Sequence, residues 1–425
     1  RSNSRPGRSV EACVLADEDG ALDASLVAVS VWYHVGAINE RPGRSGFAHL
    51  FEHMMFQASP HVGEDQHFKV LQQVGATGTN GTTDFDRTNY FETVPSNALE
   101  TALWLESDRM GFLLTTLTQK SLTNQIDVVK NERRQSVENR AYGLMSEKIT
   151  QTLYPQPHPY YGDVIGSMAD IGAANIADVQ DFFRTYYTPA NATLTLAGDF
   201  DIADTKALIQ KYFGTLKGKP APPRAEIAAP KLTKEVRIEF PEPVGQLQKL
   251  VMVWMGPSAY QTDAATLDVL AHVISGTRSS RLDRKVSFED RIAQSVTAYF
   301  AEYASGGRFV VDVTAAPGRT AAEAEAAVKG VLADLRTNPP TQAEVERAIN
   351  TTETALVRGL EQVGGMGGRA EQLQRYNHYL GDPGRLGWDI GRYRKVTPAA
   401  VSAALEQYLG DARLVVHAIP VGAQP

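Results

Sequence analysis

A chain of 425 residues exceeds what one ordinary core holds, so the length points to two or three domains. Apolar residues make up 43% and charged residues 21%, the balance of a globular protein with a sizeable core. The net charge of −7 leaves no basic excess to displace counterions from phosphates, which argues against a nucleic-acid partner, and no apolar run reaches the ~18 residues needed to span a membrane. The single cysteine, Cys13, has no internal disulfide partner. The chain opens at Arg1 without a methionine, which suggests a processed N-terminus and an expected periplasmic or secreted location, with the cytoplasm left open.

The first expected element is an apolar strand, Val27-Ala28-Val29-Ser30-Val31-Trp32-Tyr33. A helix follows from about Gly46, and it carries His49-Leu50-Phe51-Glu52-His53. Positions i and i+4 share a helix face and i+3 lies beside them, so both imidazoles can reach one metal while Glu52 faces whatever else that metal binds. This is the inverted form of the zincin motif. With 9 histidines and 49 acidic residues in the chain, the pattern arises by chance roughly 0.02 times. Catalytic zinc usually takes three protein ligands, so a third is required from elsewhere.

Next comes Ala76-Thr77-Gly78-Thr79-Asn80-Gly81-Thr82-Thr83, whose threonines favour an extended edge strand and whose glycines permit close backbone approach. Asn80-Gly81 reads equally well as a hairpin turn. A long polar helix is expected over 118–147, with apolar residues at 122, 126, 129 and 137. Glu132, 79 residues after His53, is the strongest candidate for the third ligand; the plainer reading is a solvated carboxylate on a charged helix.

Residues 216–235, with four prolines between Pro220 and Pro230, lose all periodicity and read as a linker between a domain at 1–215 and another at 236–425. The two halves resemble each other. The strand Lys249-Leu250-Val251-Met252-Val253-Trp254-Met255 matches the first strand, and a helix over 264–275 follows it as the metal helix follows the first. Each half also closes with a helix and a β-rich strand, at 179–187 with 192–198 and at 400–408 with 412–418. The expected class is therefore α+β: two homologous sandwich domains, helices on a mostly antiparallel sheet, from an internal duplication. The second copy keeps one histidine, His272, read as structural.

The run from Tyr33 to Phe56 that contains the motif resembles the signature of the pitrilysin–insulinase family of zinc peptidases, and within it the bacterial relatives of the mitochondrial processing peptidase. Residues 85–92, 104–110, 158–160, 279–282 and the glycine-rich 364–368 resemble the same family, so the likeness covers about 20–420. It implies two domains enclosing a cavity, and a ligand glutamate some 75–80 residues after the motif, which here is Glu132. A second acidic residue is often found seven positions earlier; here it is Gln125, which can hydrogen-bond but adds no charge.

The resemblance implies one Zn2+ per chain, held by His49, His53 and Glu132, with Glu52 as general base and then acid in peptide hydrolysis. A peptide substrate is expected to bind as an added strand along Asn80, Gly81 and Thr82, with backbone-driven, broad specificity for short or unfolded chains. The family's substrate-orienting Arg–Tyr pair is not found after 309–314, where the chain reads Ala315-Ala316-Pro317-Gly318. A homodimer, or a heterodimer with a related subunit lacking the motif, is therefore expected. The competing reading is a non-catalytic structural or binding subunit of a larger complex, since the likeness extends to non-peptidase relatives in respiratory complexes.

Overall fold

The computed structural model describes residues 11–16, 25–220, 222–223 and 227–422. Of the expected linker, residues 221 and 224–226 lie outside the described residues. In chain order the first half forms β1 (Glu11–Ala16), β2 (Leu26–Tyr33), α1 (Phe47–Met54), α2 (Gln66–Gln73), β3 (Thr77–Thr83), β4 (Thr88–Pro95), α3 (Leu99–Phe112) and α4 (Gln119–Arg133). It continues with α5 (Gly143–Leu153), α6 (Met168–Gly172), α7 (Ile176–Tyr186), β5 (Ala192–Gly198) and α8 (Ile202–Phe213). The second half forms β6 (Val236–Glu242), β7 (Lys249–Met255), α9 (Ala264–Ile274), α10 (Arg281–Asp283), β8 (Ala293–Ala301), β9 (Arg308–Ala315) and α11 (Ala321–Thr337). It ends with α12 (Gln342–Glu361), α13 (Arg369–Leu380), α14 (Leu386–Arg394), α15 (Pro398–Tyr408) and β10 (Leu414–Pro420).

The strands make two five-stranded sheets ordered β1-β5-β2-β4-β3 and β6-β10-β7-β9-β8. In each, the first strand runs parallel to the last strand of its half and every other pairing is antiparallel. The fold is α+β, and one topology occurs twice. Period-two alternation sorts β2: Val27, Val29, Val31 and Tyr33 enter the core beneath α1, α3, α4 and α7, while Ala28, Ser30 and Trp32 turn to the opposite face. In the second sheet Leu250, Met252 and Trp254 of β7 do the same work against α9 and α11. Burying each such large side chain contributes about 1.5–3 kcal/mol.

The contacts divide the chain into two compact units, one of residues 1–133, 162–225 and 356–384, the other of 134–161, 226–355 and 385–425. These are not the two contiguous halves expected from the sequence. Each sheet draws its strands from one half, but α13 belongs to the first unit and α5 to the second. α13 packs on β2 and β5. Its Gln374 amide donates to the carbonyls of Ser30 (3.0 Å) and Thr193 (2.8 Å), and Glu371 accepts from the Trp32 indole at 3.3 Å and the Asn89 amide at 3.2 Å. In the second unit α5 lies along β10, and the Tyr154 hydroxyl just beyond it donates to the Gly306 carbonyl at 3.3 Å.

The exchange also corrects the single helix expected over 118–147. α4 stops at Arg133, a π-helical turn covers Arg134–Glu138, and Tyr142 turns left-handed (φ 64°) before α5 begins. The chain folds so tightly there that a Cβ on Gly143 would lie 2.2 Å from the Val137 carbonyl oxygen. No helix of the described residues is long and apolar enough to cross a membrane.

Arg281, in one of the stretches carrying the resemblance, is a staple of the second unit. Its guanidinium donates to both oxygens of Glu344 (2.9 and 3.0 Å) and to the carbonyls of Asn338 and Pro339, fixing the α11–α12 connection. Glu344 also closes the capping box of α12 with Thr341. The Arg281 bonds hold the Glu344 carboxyl down at about 2. A depressed carboxylate contributes stability that is present above its unfolded value of about 4.3 and fades as pH falls towards 2. Glu344→Gln is therefore expected to cost about 1–2 kcal/mol at neutral pH, after allowance for solvent screening. Urea denaturation at stepped pH should show that gap shrinking by more than half near pH ~3; a gap independent of pH would contradict the assignment.

Candidate metal centre

The metal helix begins where only glycine fits well. Gly46 takes φ 84°, and a Cβ there would lie 2.5 Å from the Ile165 carbonyl oxygen. The Glu40 carboxylate caps α1, accepting from the backbone N–H of Gly46 (3.1 Å) and Ala48 (2.8 Å), two donors that the helix itself leaves unpaired. Phe47, Ala48, Leu50, Phe51 and Met54 face the core, so the helical period turns His49, Glu52 and His53 to the other side. On α4, Leu122, Ile126, Val129 and Arg133 are buried and Glu132 is left at the margin. Arg133 donates to the Gly166 carbonyl at 2.7 Å, tying down the end of that helix.

These two helix faces bring His49, His53 and Glu132 together. One ligand atom from each lies within 4.8 Å of the others, the one group of three or more His, Cys, Asp or Glu that meets this test among the described residues. Nε2 of His53 is 3.1 Å from Glu132 Oε2, and Nε2 of His49 is 3.6 Å from Oε1. The two rings stand at 82° with centroids 4.8 Å apart. Donor atoms around a tetrahedral zinc are separated by about 3.4 Å, so this His–His–Glu set suits the ion in size and in chemistry. Gln125 is buried on α4 two turns before Glu132 and stands outside that trio. His272, on α9, joins no such group among the described residues.

Beside the trio runs β3, the edge strand of its sheet. The hairpin reading of Asn80-Gly81 is corrected: the strand continues through both residues, and the turn falls at 84–87, where Asp84 Oδ1 accepts from the N–H of Asp86 and Arg87. Alternation puts Gly81 and Thr83 towards α1, with Asn80 and Thr82 on the other face. Asn80 is exposed, and Thr82 bonds Asn89 (2.6 Å) and Arg87. Gly81 is a close approach. A Cβ there would stand 3.0 Å from Glu52 Cγ, 3.1 Å from Tyr90 Cδ1 and 3.2 Å from Phe56 Cε2. Thr83 Oγ1 donates to Glu52 Oε2 at 2.7 Å.

Residues 20–158 match the family profile described as insulinase, peptidase family M16, and residues 173–352 match that of the peptidase M16 inactive domain. The chain belongs to the insulinase family, M16. Among its relatives, the zinc protease PqqE of Helicobacter pylori is 26% identical over 338 residues, 79% of this chain and 75% of that protein. An uncharacterized zinc protease of Streptomyces coelicolor is 26% identical over 404 residues, 89% of this chain and 82% of its own length. Among solved structures, a protease from Helicobacter pylori superposes with a TM-score of 0.89 at 23% identity, covering 97% of both chains. The peptidase M16 inactive domain from Pseudomonas fluorescens gives 0.82 at 20% identity, covering 98% of this chain and 97% of that one. Both likenesses establish the fold.

The electrostatics of this M16 chain suit a cation. Burial, with His53 beside it, lowers His49 to about 4 against the pull of Glu132, so its ring is neutral near pH 7 and has a lone pair to give. The His53 hydrogen bond holds Glu132 below its ordinary value, as a carboxylate. Burial pushes Glu52 the other way, upward, opposed by the Thr83 hydroxyl and by His53. Sequence reasoning missed Thr83. The signal was its place two residues after Gly81, which puts both on one face of an edge strand.

Proposed function

We propose that this chain is a zinc-dependent endopeptidase that hydrolyses short or unfolded peptides laid as an added strand along β3. One observation carries the reading: a His–His–Glu trio of zinc-like dimensions, with an unliganded glutamate between its histidines and a glycine-bearing sheet edge alongside. His49, His53 and Glu132 would hold the ion. Zinc there supplies Lewis acidity, which acidifies water and polarises a carbonyl oxygen. The residues supply the rest. Thr83 occupies Oε2 of Glu52 and fixes its rotamer, leaving Oε1 to take a proton from the attacking water and return it to the departing amine. As an edge strand, β3 could align an extended peptide, and Gly81 lets the strand lie close to Glu52. Asn80, on the exposed face, is the candidate for holding a substrate carbonyl, and Gln125 supports the ligand helix from within.

Among the described residues, the second half carries no counterpart of the ligand set. Its counterpart of α1, α9, lacks the ligands, and the profile matched over 173–352 is that of an inactive domain. We further propose a dimer, with a second copy or a related subunit lacking the motif, as the source of further substrate-orienting residues. The test is metal content together with cleavage of an unfolded peptide. About one zinc per chain is expected, with activity abolished by a chelator and restored by zinc. Cleavage that persists after complete metal removal would sink the reading; zinc bound without any cleavage would leave the binding-subunit alternative.

A further inference from the structure

Beneath the seat of Gly81 lies a buried charge that the hydrolytic reading leaves unused. Arg109, on α3, is 3% exposed. Its guanidinium is gripped by both oxygens of Glu106 one turn earlier, with Nε donating to Oε2 at 2.9 Å. Its ζ-carbon stands 4.2 Å from the Tyr90 ring centroid and 5.1 Å from that of Phe56. Those two rings meet edge to face at 5.5 Å, and Phe68 stacks on Phe56 at 4.6 Å. Tyr90 is the cross-strand partner of Gly81, and its hydroxyl donates to the Phe51 carbonyl of α1 at 3.4 Å. Two of the three side chains bounding Gly81 are therefore rings that Arg109 touches; the third is Glu52.

Burying an ion pair here is costly, and an apolar side chain would fill the same volume. A guanidinium offers what an apolar chain does not: a flat cationic face that fixes the planes of adjacent rings. Glu92, two residues after Tyr90 on β4, lies in the same buried group; burial and the charge of Glu106 hold its carboxyl well above the ordinary range.

We propose that Arg109 is a positioning residue for peptide hydrolysis at this centre, holding the Phe56–Tyr90 platform that sets the gap between the β3 edge and Glu52. This rests on the peptidase reading above. The test is a double-mutant cycle: kcat and KM on an unfolded peptide for wild type, Arg109→Met, Gly81→Ala and the double variant, with bound zinc and thermal midpoint for each. Arg109→Met is expected to keep its zinc and lose about 10-fold in kcat with KM within about twofold. Gly81→Ala loses kcat similarly, and the double variant is no slower than the slower single, because both disturb one gap. Factors that multiply, or wild-type kcat in Arg109→Met, overturn the inference. Should Arg109→Met fail to fold, Arg109→Lys keeps the charge but presents no flat face, and the same result is expected of it. A wild type that binds zinc and cleaves nothing sinks the peptidase reading and this inference together. A cleaving wild type whose variants multiply sinks this inference alone.

Discussion

Glu52→Gln is expected to cut kcat on an unfolded peptide by about 10^2–10^4-fold while bound zinc and thermal midpoint stay near wild type. The amide has the shape of the carboxylate, and its oxygen can still accept from Thr83, so the rotamer and the seat beneath Gly81 survive. What is lost is the capacity to take a proton from water. Since Glu52 is not one of the three clustered ligand atoms, metal content should be indifferent to the change. Steady-state kinetics with a parallel zinc determination decide the matter. A variant that cleaves at the wild-type rate removes Glu52 from the reaction; one that loses its zinc reassigns it as a ligand.

Glu132→Gln should act in the opposite order, on the metal first. Glu132 is the only negative charge in the trio and faces Nε2 of both histidines, at 3.1 and 3.6 Å. A neutral amide keeps one oxygen donor but forfeits the charge. Zinc affinity should fall by at least about 100-fold, since even outer-shell partners of metal ligands are worth 10–100-fold. Activity should then return in part with excess zinc, which the Glu52 variant cannot show. Competition with a chelator of known affinity measures the loss. An affinity equal to wild type would mean that the third ligand lies elsewhere.

Local patterns were legible and distant pairings were not. β7 spans the seven residues read from its apolar run, β2 begins one residue before the run at Val27, and the repeat of strand, helix and closing strand became the repeat of sheet topology. Periodicity reports which face a residue takes, so His49 and His53 could be placed side by side before any coordinates. It does not report what covers a face. Trp32 and Glu371 are 339 residues apart, and nothing local in either announces their bond. The break after Arg133 was hidden because polar residues suit both a helix and a turn; the deciding feature is the crowding at Gly143. At Asn80-Gly81 the sequence left an edge strand and a hairpin turn equally open, and the pairing of β3 with β4 decides for the strand.

The placement of α13 bears on how this protein is made. A ribosome releases β1 to β5, with His49, His53 and Glu132, well before it reaches Arg369–Leu380, the helix that lies across β2 and β5. Until then Gln374 is not there to donate to the Ser30 and Thr193 carbonyls, nor Glu371 to accept from the Trp32 indole. The sheet that carries the metal helix is thus finished only when the last quarter of the chain arrives. A nascent or truncated product that stops short of α13 would hold His49, Glu52, His53 and Glu132 on a sheet without its Gln374 and Glu371 bonds.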